Sequence, residues 1–207
     1  AGSTGDHPLN RRILDTLTRN VDLLDRMVVE LLDISEISGG TFKLRQETVL
    51  LEPLLWSIIL SMSADIKKNN MEVNMMMRNS GKLVVAGDEQ RLRWAFGHLM
   101  QNSVQYTEAG GSVTIAAGLD EDNSSFIAID FIDNGVGIAE KDLPHIFDQF
   151  YRGEPRTRNG KLLDPRGLGQ GLFVARTIAQ AHGGYLTVQS VQGQGSVFTM
   201  ILPRNKD

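Results

Sequence analysis

An aspartate, an asparagine and two glycines follow an apolar run in the stretch "FIDNGVGI", residues 131–138. An Asn-Gly pair usually closes a hairpin, but the residues after Gly135 do not alternate between apolar and polar as a second strand requires. Two glycines two positions apart let the backbone bend sharply or let another group approach closely. Asp133 follows a strand of the buried type, where an ionised carboxylate needs a hydrogen-bond donor. The stretch therefore predicts a ligand site in which Asp133 accepts from an amino group.

A second glycine-rich stretch, "GLGQGL" at residues 167–172, directly precedes an apolar-periodic helix pattern. Backbone N–H groups and the positive end of the helix dipole make such an entry an anion site, although the spacing fits neither a Rossmann fingerprint nor a P-loop. The preceding loop, residues 152–166, has five basic and two acidic side chains, which gives +3 in a chain of net charge −4. A charged loop is usually just solvated, but this one adjoins the proposed anion site, so a phosphate-facing role is the second interpretation of it.

Asn102 lies within a predicted helix over residues 88–107, with Asp88 as its N-cap. A lone asparagine on a helix is usually a surface residue. Its amide oxygen is nevertheless a hard, neutral ligand that suits Mg²⁺, which takes few protein ligands and completes its shell with phosphate and water. Asn102 is therefore a candidate magnesium ligand.

A narrow apolar seam runs through the first part of the chain between residues 8 and 37. The apolar residues of the seam alternate three and four apart and are Leu14, Leu17, Val21, Leu24, Val28 and Leu31. This heptad pattern predicts a long helix that needs a partner in a coiled coil or four-helix bundle, with a surface helix over a core as the alternative. Residues 38–40, "SGG", end the predicted helix.

Strands and helices are interspersed after residue 40 without the regular spacing of beta-alpha-beta units. This order predicts an α+β fold, a two-layer α/β sandwich in which helices cover one face of an open mixed sheet. The coiled-coil-type helix precedes that sandwich.

The composition excludes several other classes of protein. Net charge −4 does not supply the dense positive surface of non-specific nucleic-acid binding, and the absence of cysteine excludes disulfides and thiolate metal sites. No apolar run reaches the roughly 18 to 20 residues of a membrane span, so we expect no membrane contact by this stretch of protein. The small, polar residues 1–6 are interpreted as a remnant of an expression tag.

Four motifs occur in one order along the chain: Asn102, "DNGVGI", "IFDQFYRG", and "GLGQGLFVA" with "AHGG". Together they resemble the catalytic ATP-binding domain of sensor histidine kinases, within the superfamily of gyrase, the heat-shock chaperone ATPases and the mismatch-repair ATPases. The resemblance implies a catalytic domain over residues 41–207 with a mobile lid at 152–166. Residues 7–40 resemble the second helix of the family's dimerisation and phosphoacceptor domain.

The resemblance implies that ATP and Mg²⁺ are the ligands. Asp133 would accept from the adenine amino group, Tyr106 would pack near the adenine, and Asn102 would hold Mg²⁺. Arg156 and Arg158 of the lid are candidate phosphate contacts, and no catalytic residue is assigned. The other implied nucleotide-site residues, which form the pocket wall, the lid anchor and the phosphate cradle, are Gly135, Gly137, Ile138, Phe147, Phe150, Gly167, Leu168, Gly169, Gly171 and Leu172.

Transfer of phosphate is favoured over hydrolysis. Hydrolysing members of the superfamily resemble one another in carrying a glutamate one helical turn before the magnesium asparagine, and this chain has His98 there. The resemblance therefore implies a protein histidine kinase, in which an imidazole is the nucleophile. The family's phosphoacceptor lies five residues before a Pro-Leu pair, where this chain has Ser3. We expect the first helix and its histidine to be absent, and no autophosphorylation.

Three departures from the family keep a second interpretation open. Gln105 replaces a common Lys or Arg, His98 replaces a second Asn, and Gln170 replaces the usual Leu between the glycines. Loss of a cation is the most costly departure in principle, and we expect the lid arginines to compensate for it. The alternative is a non-catalytic nucleotide-sensing or scaffold module of the same fold. An ATPase outside signalling and an anti-sigma-factor kinase rank lower.

The resemblance also implies partners and a location. The expected partners are the receiver domain of a response regulator and a second copy of the parent protein, joined through a helical bundle. No nucleic-acid partner is expected. A cytoplasmic location is expected because the chemistry needs ATP, and membrane anchoring of the parent stays open.

Overall fold

The computed structural model describes residues 43–78, 81–157, 159–160, 162–163 and 168–205, and the single helical residues 13, 14, 17, 21 and 35. The chain divides into two compact units, residues 1–42 and 43–207. In the first unit four apolar side chains, Ile13, Leu14, Leu17 and Val21, are 51–58% exposed. The tag at 1–6 and most of the helix expected at 7–40 lie outside the described residues, so both stay predictions.

In the described residues of the second unit, short strands are interspersed with three longer helices and one short helix. In chain order its elements are β1 (Glu47–Leu50), α1 (Leu51–Ser61), α2 (Ser63–Lys68), β2 (Glu72–Met77), β3 (Val84–Gly87), α3 (Glu89–Tyr106), β4 (Ser112–Leu119), β5 (Phe126–Asp133), α4 (Gly171–Ala181), β6 (Tyr185–Val191) and β7 (Gly195–Pro203).

The principal sheet of the described residues is open, with strand order β2-β4-β5-β7-β6. The β2–β4 pair is parallel and the remaining pairs are antiparallel, while β1 and β3 form a separate antiparallel pair. The predicted α+β sandwich with a mixed sheet is thereby confirmed. Two elements differ from expectation. The predicted first strand, residues 42–51, pairs only over β1, and the predicted helix after it is interrupted at Met62, where φ is −102° and ψ is 8°.

The core lies between the principal sheet and the helices on one of its faces. The Phe96 ring of α3 lies 6.0 Å from the Phe131 ring of β5, measured between centroids, and both side chains are fully buried. Burying a side chain of this size stabilises the fold by roughly 1.5 to 3 kcal/mol. Because side chains alternate along a strand, Asp133 lies on the same helix-facing side of β5 as Phe131. The core strand therefore delivers one carboxylate to the helix layer.

His182, in the motif "AHGG", connects the end of α4 to the start of α3. Its Nδ1 donates to the Ile178 carbonyl oxygen at 2.8 Å, and its Nε2 accepts from the Asp88 backbone N–H at 3.0 Å. Asp88 caps α3 as predicted, with Oδ1 accepting from the Arg91 N–H at 3.1 Å. A side chain at Gly87 would overlap the imidazole ring, so glycine is required there. This arrangement uses the neutral imidazole, and burial lowers the pKa of His182.

This pairing predicts a pH-dependent contribution to stability. The pKa of His182 in the folded chain lies below its ordinary value. The stability that the neutral imidazole contributes is therefore complete when the pH is above that ordinary value, and it is lost as the pH falls toward the lowered pKa. We expect the difference in unfolding free energy between the wild type and His182→Gln to shrink on acidification from about pH 7.5 to about pH 5.5. This difference in unfolding free energy should change by less than about 1.4 kcal/mol per pH unit, the limit for one fully buried group, because the ring is partly solvated. Urea denaturation of both proteins across this range measures it, and a constant difference would contradict it.

Candidate functional site

The turn after β5 is held by two different parts of the fold. The Val136 N–H donates to the Tyr106 carbonyl oxygen at 3.0 Å, at the end of α3. On the other side, the Val136 carbonyl accepts from the Gly193 N–H at 2.7 Å, and the Ile138 N–H donates to Ser190 Oγ at 2.9 Å. The pairing partners of β5 are β4 and β7, so the turn closes no hairpin, as predicted.

The two glycines of the turn are required by its packing against protein backbone. A Cβ at Gly135 would overlap the Tyr106 carbonyl oxygen, and one at Gly137 would overlap the Val191 carbonyl oxygen. Gly137 also has φ +64°, in the left-handed region that favours glycine. The predicted close approach is therefore present, and in this structure the approaching group is the protein itself. The result is a rigid wall beside Asp133.

Asp133 is 7% exposed, and its Oδ1 accepts from two backbone N–H groups, Gly135 at 2.9 Å and Ser196 at 3.2 Å. Burial raises the pKa of the Asp133 carboxyl to about 6, against the lowering effect of these two hydrogen bonds. The Ser103 hydroxyl lies close enough to lower that pKa further, although it makes no hydrogen bond of ordinary geometry. Because both backbone donors use Oδ1, Oδ2 is the oxygen that can accept from a ligand.

One face of α3 carries His98 and the candidate magnesium ligand Asn102, and this face lies near the start of α4. His98 and Asn102 are four residues apart and so share a helix face. A Cβ at Gly171, the first residue of α4, would come within 2.9 Å of His98 Nδ1. Burial raises the pKa of Tyr106, and the Arg152 guanidinium opposes that rise, so the base of the lid is also near. The structure thus places His98, one turn before Asn102, against the α4 entry, and Tyr106 near the base of the lid.

The N-terminus of α4 has no side-chain cap. Gln170 is its N-cap residue and makes no side-chain capping hydrogen bond, so among the described residues this cap leaves the first-turn N–H groups to an anion. Gly169 has φ +72°, and a Cβ there would lie 2.5 Å from the Tyr151 carbonyl oxygen. Leu168 and Leu172 are half-buried. Gly167 lies outside the described residues, and its predicted role stays a prediction.

The described part of the lid forms a small hairpin over the turn. Arg156 and Leu162 form an antiparallel bridge, and the Leu163 N–H donates to the Pro155 carbonyl oxygen at 2.8 Å. Arg156 pairs with Glu154 at 3.5 Å and donates to the Gly160 carbonyl oxygen at 3.2 Å, and Arg158 lies outside the described residues. A cavity of about 420 Å³ separates the hairpin from the turn, and its lining is Val136, Arg156, Thr157, Gly160, Gln192 and Gly193.

The lid anchor differs from the prediction. Phe150 is 56% exposed with φ +64°, so it does not anchor the lid, whereas Phe147 lies under the Arg176 guanidinium at 5.4 Å. Tyr151 anchors the lid base instead, since its hydroxyl donates to Asp142 Oδ1 at 2.9 Å. The aromatic run in the sequence indicated an anchor but not which ring faces inward.

Residues 87–206 match a family model described as histidine kinase-, DNA gyrase B- and HSP90-like ATPase. The chain belongs to this ATPase family. The resemblance to the ATP-binding catalytic domain of sensor histidine kinases, predicted from the order of motifs, is confirmed. A base site at the end of β5 and an anion site at the start of α4 are the two features that the order of motifs predicted.

Two curated relatives are much longer than this chain. The chain is 28% identical over 198 residues to the sensor histidine kinase WalK of Bacillus subtilis. The aligned region covers 95% of this chain and 31% of WalK. The chain is also 28% identical over 181 residues to the sensor protein SrrB of Staphylococcus aureus. That aligned region covers 87% of this chain and 30% of SrrB. The chain thus spans about a third of the length of these relatives.

Solved structures share the fold of this ATPase-family chain. Full-length ShkA in complex with AMPPNP superposes with a TM-score of 0.78 at 23% identity, covering 96% of this chain and 39% of ShkA. The histidine kinase AdeS of Acinetobacter baumannii superposes with a TM-score of 0.71 at 22% identity, covering 93% of this chain and 84% of AdeS. ThkA, in complex with the response regulator TrrA, gives 0.67 at 20% identity, covering 99% of this chain and 53% of ThkA.

Proposed function

We propose that this chain binds ATP with Mg²⁺ and transfers the γ-phosphate to a histidine of a dimerisation helix, for relay to an aspartate of a response regulator. The observation that carries the proposal is Asp133: a buried carboxylate whose Oδ1 is fixed by two backbone N–H groups. On helix α3, His98 lies against the start of α4, and Asn102 follows one helical turn later. Helix α3 therefore adjoins both the proposed base site, through Tyr106, and the proposed phosphate site, through His98.

Asp133 recognises the adenine in this proposal. The exocyclic amino group of adenine donates to Oδ2, and Tyr106 packs beside the base. Val136 and Ile138 have backbone groups held by the fold, so the wall formed by Gly135 and Gly137 is set before the nucleotide arrives. A preformed acceptor of this kind loses little entropy on binding.

The pKa of Asp133 predicts how nucleotide affinity depends on pH. Burial raises that pKa to about 6, and an amino donor favours the ionised carboxylate. Affinity for ADP should therefore be constant above about pH 6 and fall below it, by at most about tenfold per pH unit. Calorimetric titration of the wild type and Asp133→Asn separates this effect from the titration of the phosphates themselves. A parallel pH profile in the two proteins would contradict the assignment.

The phosphates lie at the start of α4 in this proposal. First-turn N–H groups bind phosphate oxygens, and Asn102 contributes an amide oxygen to Mg²⁺. The described residues contain no group of three or more His, Cys, Asp or Glu side chains that would hold a metal alone. This donor set fits Mg²⁺, which completes its shell with phosphate and water. Bound there, the ion neutralises charge on the phosphates.

Transfer is proposed over hydrolysis because of the residue one turn before Asn102. His98 lies there with its ring against the α4 entry at Gly171, where a hydrolase would need a carboxylate to activate water. An acceptor imidazole needs no such activation, because its neutral nitrogen attacks phosphorus directly. One P–N bond forms, the bond between the γ-phosphorus and the β,γ-bridging oxygen breaks, and ADP leaves. Arg156 and Arg158 are proposed to contact phosphate when the lid closes.

The proposed partners follow the relatives. WalK and SrrB are named as sensor proteins, and ThkA was solved with a response regulator. We propose a homodimer through residues 7–40 and a receiver-domain partner for this chain's parent. Among the described residues, no helix is both long enough and apolar enough to cross a bilayer. A cytoplasmic location is proposed because ATP is the substrate.

Phosphotransfer to a separately supplied acceptor tests the proposal. A dimerisation domain that carries the phosphoacceptor histidine is mixed with this chain and ATP labelled at the γ-phosphate, and acid-labile phosphohistidine is measured. We expect label on the acceptor, none on its alanine variant, and much slower labelling with the Asn102→Ala chain. Asp133-dependent ATP binding without transfer to any acceptor helix, including one from the chain's own gene, would favour the nucleotide-sensing module instead.

A further inference from the structure

Gln170, the residue directly before α4, carries a buried amide. Its side chain is 1% exposed, and within the described part of the protein neither Oε1 nor Nε2 has a hydrogen-bond partner. Buried polar atoms are nearly always paired with protein, ordered water or ligand, so an amide with two unpaired atoms calls for an explanation. Burying it unpaired is unfavourable, whereas the leucine that is usual at this position in the resembled family has no polar atom to satisfy.

The two glycines that flank Gln170 show where this amide is buried. A Cβ at Gly169 would lie 2.5 Å from the Tyr151 carbonyl oxygen, at the base of the lid. A Cβ at Gly171 would lie 2.9 Å from His98 Nδ1, on α3. Gln170 is the N-cap residue of α4, a position from which side chains reach the first-turn N–H groups, and its side chain caps none of them. The amide is therefore buried where the lid base, α3 and the α4 entry meet.

The proposed nucleotide runs along α3 toward this point. Tyr106 adjoins the base site, Asn102 is the proposed metal ligand one turn earlier, and His98 lies against the α4 entry one turn earlier again. At a rise of about 1.5 Å per residue, Tyr106 and His98 are about 12 Å apart along the helix axis. The terminal phosphate is the part of ATP farthest from the base. It is therefore the phosphate that comes nearest to His98 and to the Gln170 amide.

We infer that Gln170 is a specificity residue of the phosphate site, whose amide Nε2 donates to an oxygen of the terminal phosphate of ATP, directly or through one ordered water. This inference rests on the proposed nucleotide site and deepens it. It gives the buried amide a partner that ADP does not supply, so the site prefers ATP to the product of transfer. The backbone N–H groups of α4 do not make this distinction by themselves, because they bind any phosphate oxygen.

Gln170→Leu tests the inference, because it removes both polar atoms and nearly keeps the side-chain volume. We expect the variant to bind ATP about 10-fold more weakly than the wild type and to bind ADP with nearly unchanged affinity. Without nucleotide, its urea midpoint should equal or exceed that of the wild type, because an unpaired amide is no longer buried. Equilibrium titration with each nucleotide and urea denaturation of the nucleotide-free proteins measure these changes.

Gln180→Leu provides a matched control, because it makes the same substitution at an exposed position of the same helix. It should leave the affinities for ATP and ADP unchanged. Unchanged ATP affinity in Gln170→Leu, or equal losses for ATP and ADP, would overturn the inference. A lower urea midpoint of Gln170→Leu would overturn it too, because the amide would then have a partner within the protein. Absence of Asp133-dependent nucleotide binding in the wild type would instead overturn the proposed site, and the inference with it.

Discussion

Gly137→Ala is expected to reduce the unfolding free energy by roughly 2 to 4 kcal/mol and to abolish nucleotide binding. The new Cβ would overlap the Val191 carbonyl oxygen, and the backbone at this position has φ +64°. Relief requires the turn to move away from the β6–β7 hairpin, which breaks the 2.7 Å hydrogen bond between the Gly193 N–H and the Val136 carbonyl. The position of Asp133 would be lost with it. Urea denaturation and ATP titration of the variant measure the two effects.

Gly97→Ala is the control for this change. Gly97 lies within α3 with open space where a Cβ would point, so alanine there should be neutral or stabilise by up to about 1 kcal/mol. The contrast separates a glycine that the turn requires from one that the helix merely tolerates. If both variants unfold at the same urea concentration as the wild type, the turn is not held as described here.

Asn102→Ala is expected to lower the rate of phosphotransfer by at least about 100-fold, because the proposed protein ligand to Mg²⁺ is removed. ATP affinity measured without Mg²⁺ should be nearly unchanged, since the base site and the α4 entry remain. Asn102→Asp keeps a hard oxygen ligand and should retain part of the activity. Phosphotransfer rates across a magnesium titration distinguish these variants.

Gln101→Ala serves as the neighbouring control, because it removes an amide of similar size on an adjacent face of α3. It should transfer phosphate at nearly the wild-type rate. A magnesium dependence of Asn102→Ala that matches the wild type would contradict the assignment of Asn102 as the metal ligand.

Local patterns were sufficient to predict the elements that carry the site. The apolar run that ends at Asp133, the helix that Asp88 caps and the glycine entry to α4 all lie where the sequence predicts them. Each depends on residues close in sequence: a cap three residues from its N–H, or a turn that follows a strand directly. The conclusion that "DNGVGI" is not a hairpin likewise needed only the absence of alternation after it.

Contacts distant in sequence were not predictable in the same way. Gly135 and Gly137 pack against Tyr106 and Val191, and nothing in the local pattern names those partners. The exposure of Phe150 and the bond from Tyr151 to Asp142 depend on how the lid base turns. The role of His182 in joining α4 to Asp88 spans 94 residues.

Ser103 is the clearest case of a residue whose surroundings the sequence did not indicate. Its neighbour Asn102 was singled out for the chemistry of its amide, while a serine inside a helix looks ordinary. Only the packing of α3 on β5 shows that its hydroxyl is buried close to the Asp133 carboxyl at the end of that strand.

The most direct test of the central claim is equilibrium binding of a fluorescent ATP analogue to the wild type and to Asp133→Asn, with and without Mg²⁺. Oδ1 of the asparagine should keep both backbone hydrogen bonds, which turns its NH₂ group toward the adenine amino group. We therefore expect Mg²⁺-sensitive binding that is about 100-fold weaker in the variant, with thermal stability equal to or above that of the wild type. Equal affinity of the two proteins, or binding by neither, would mean that the turn after β5 does not hold the adenine.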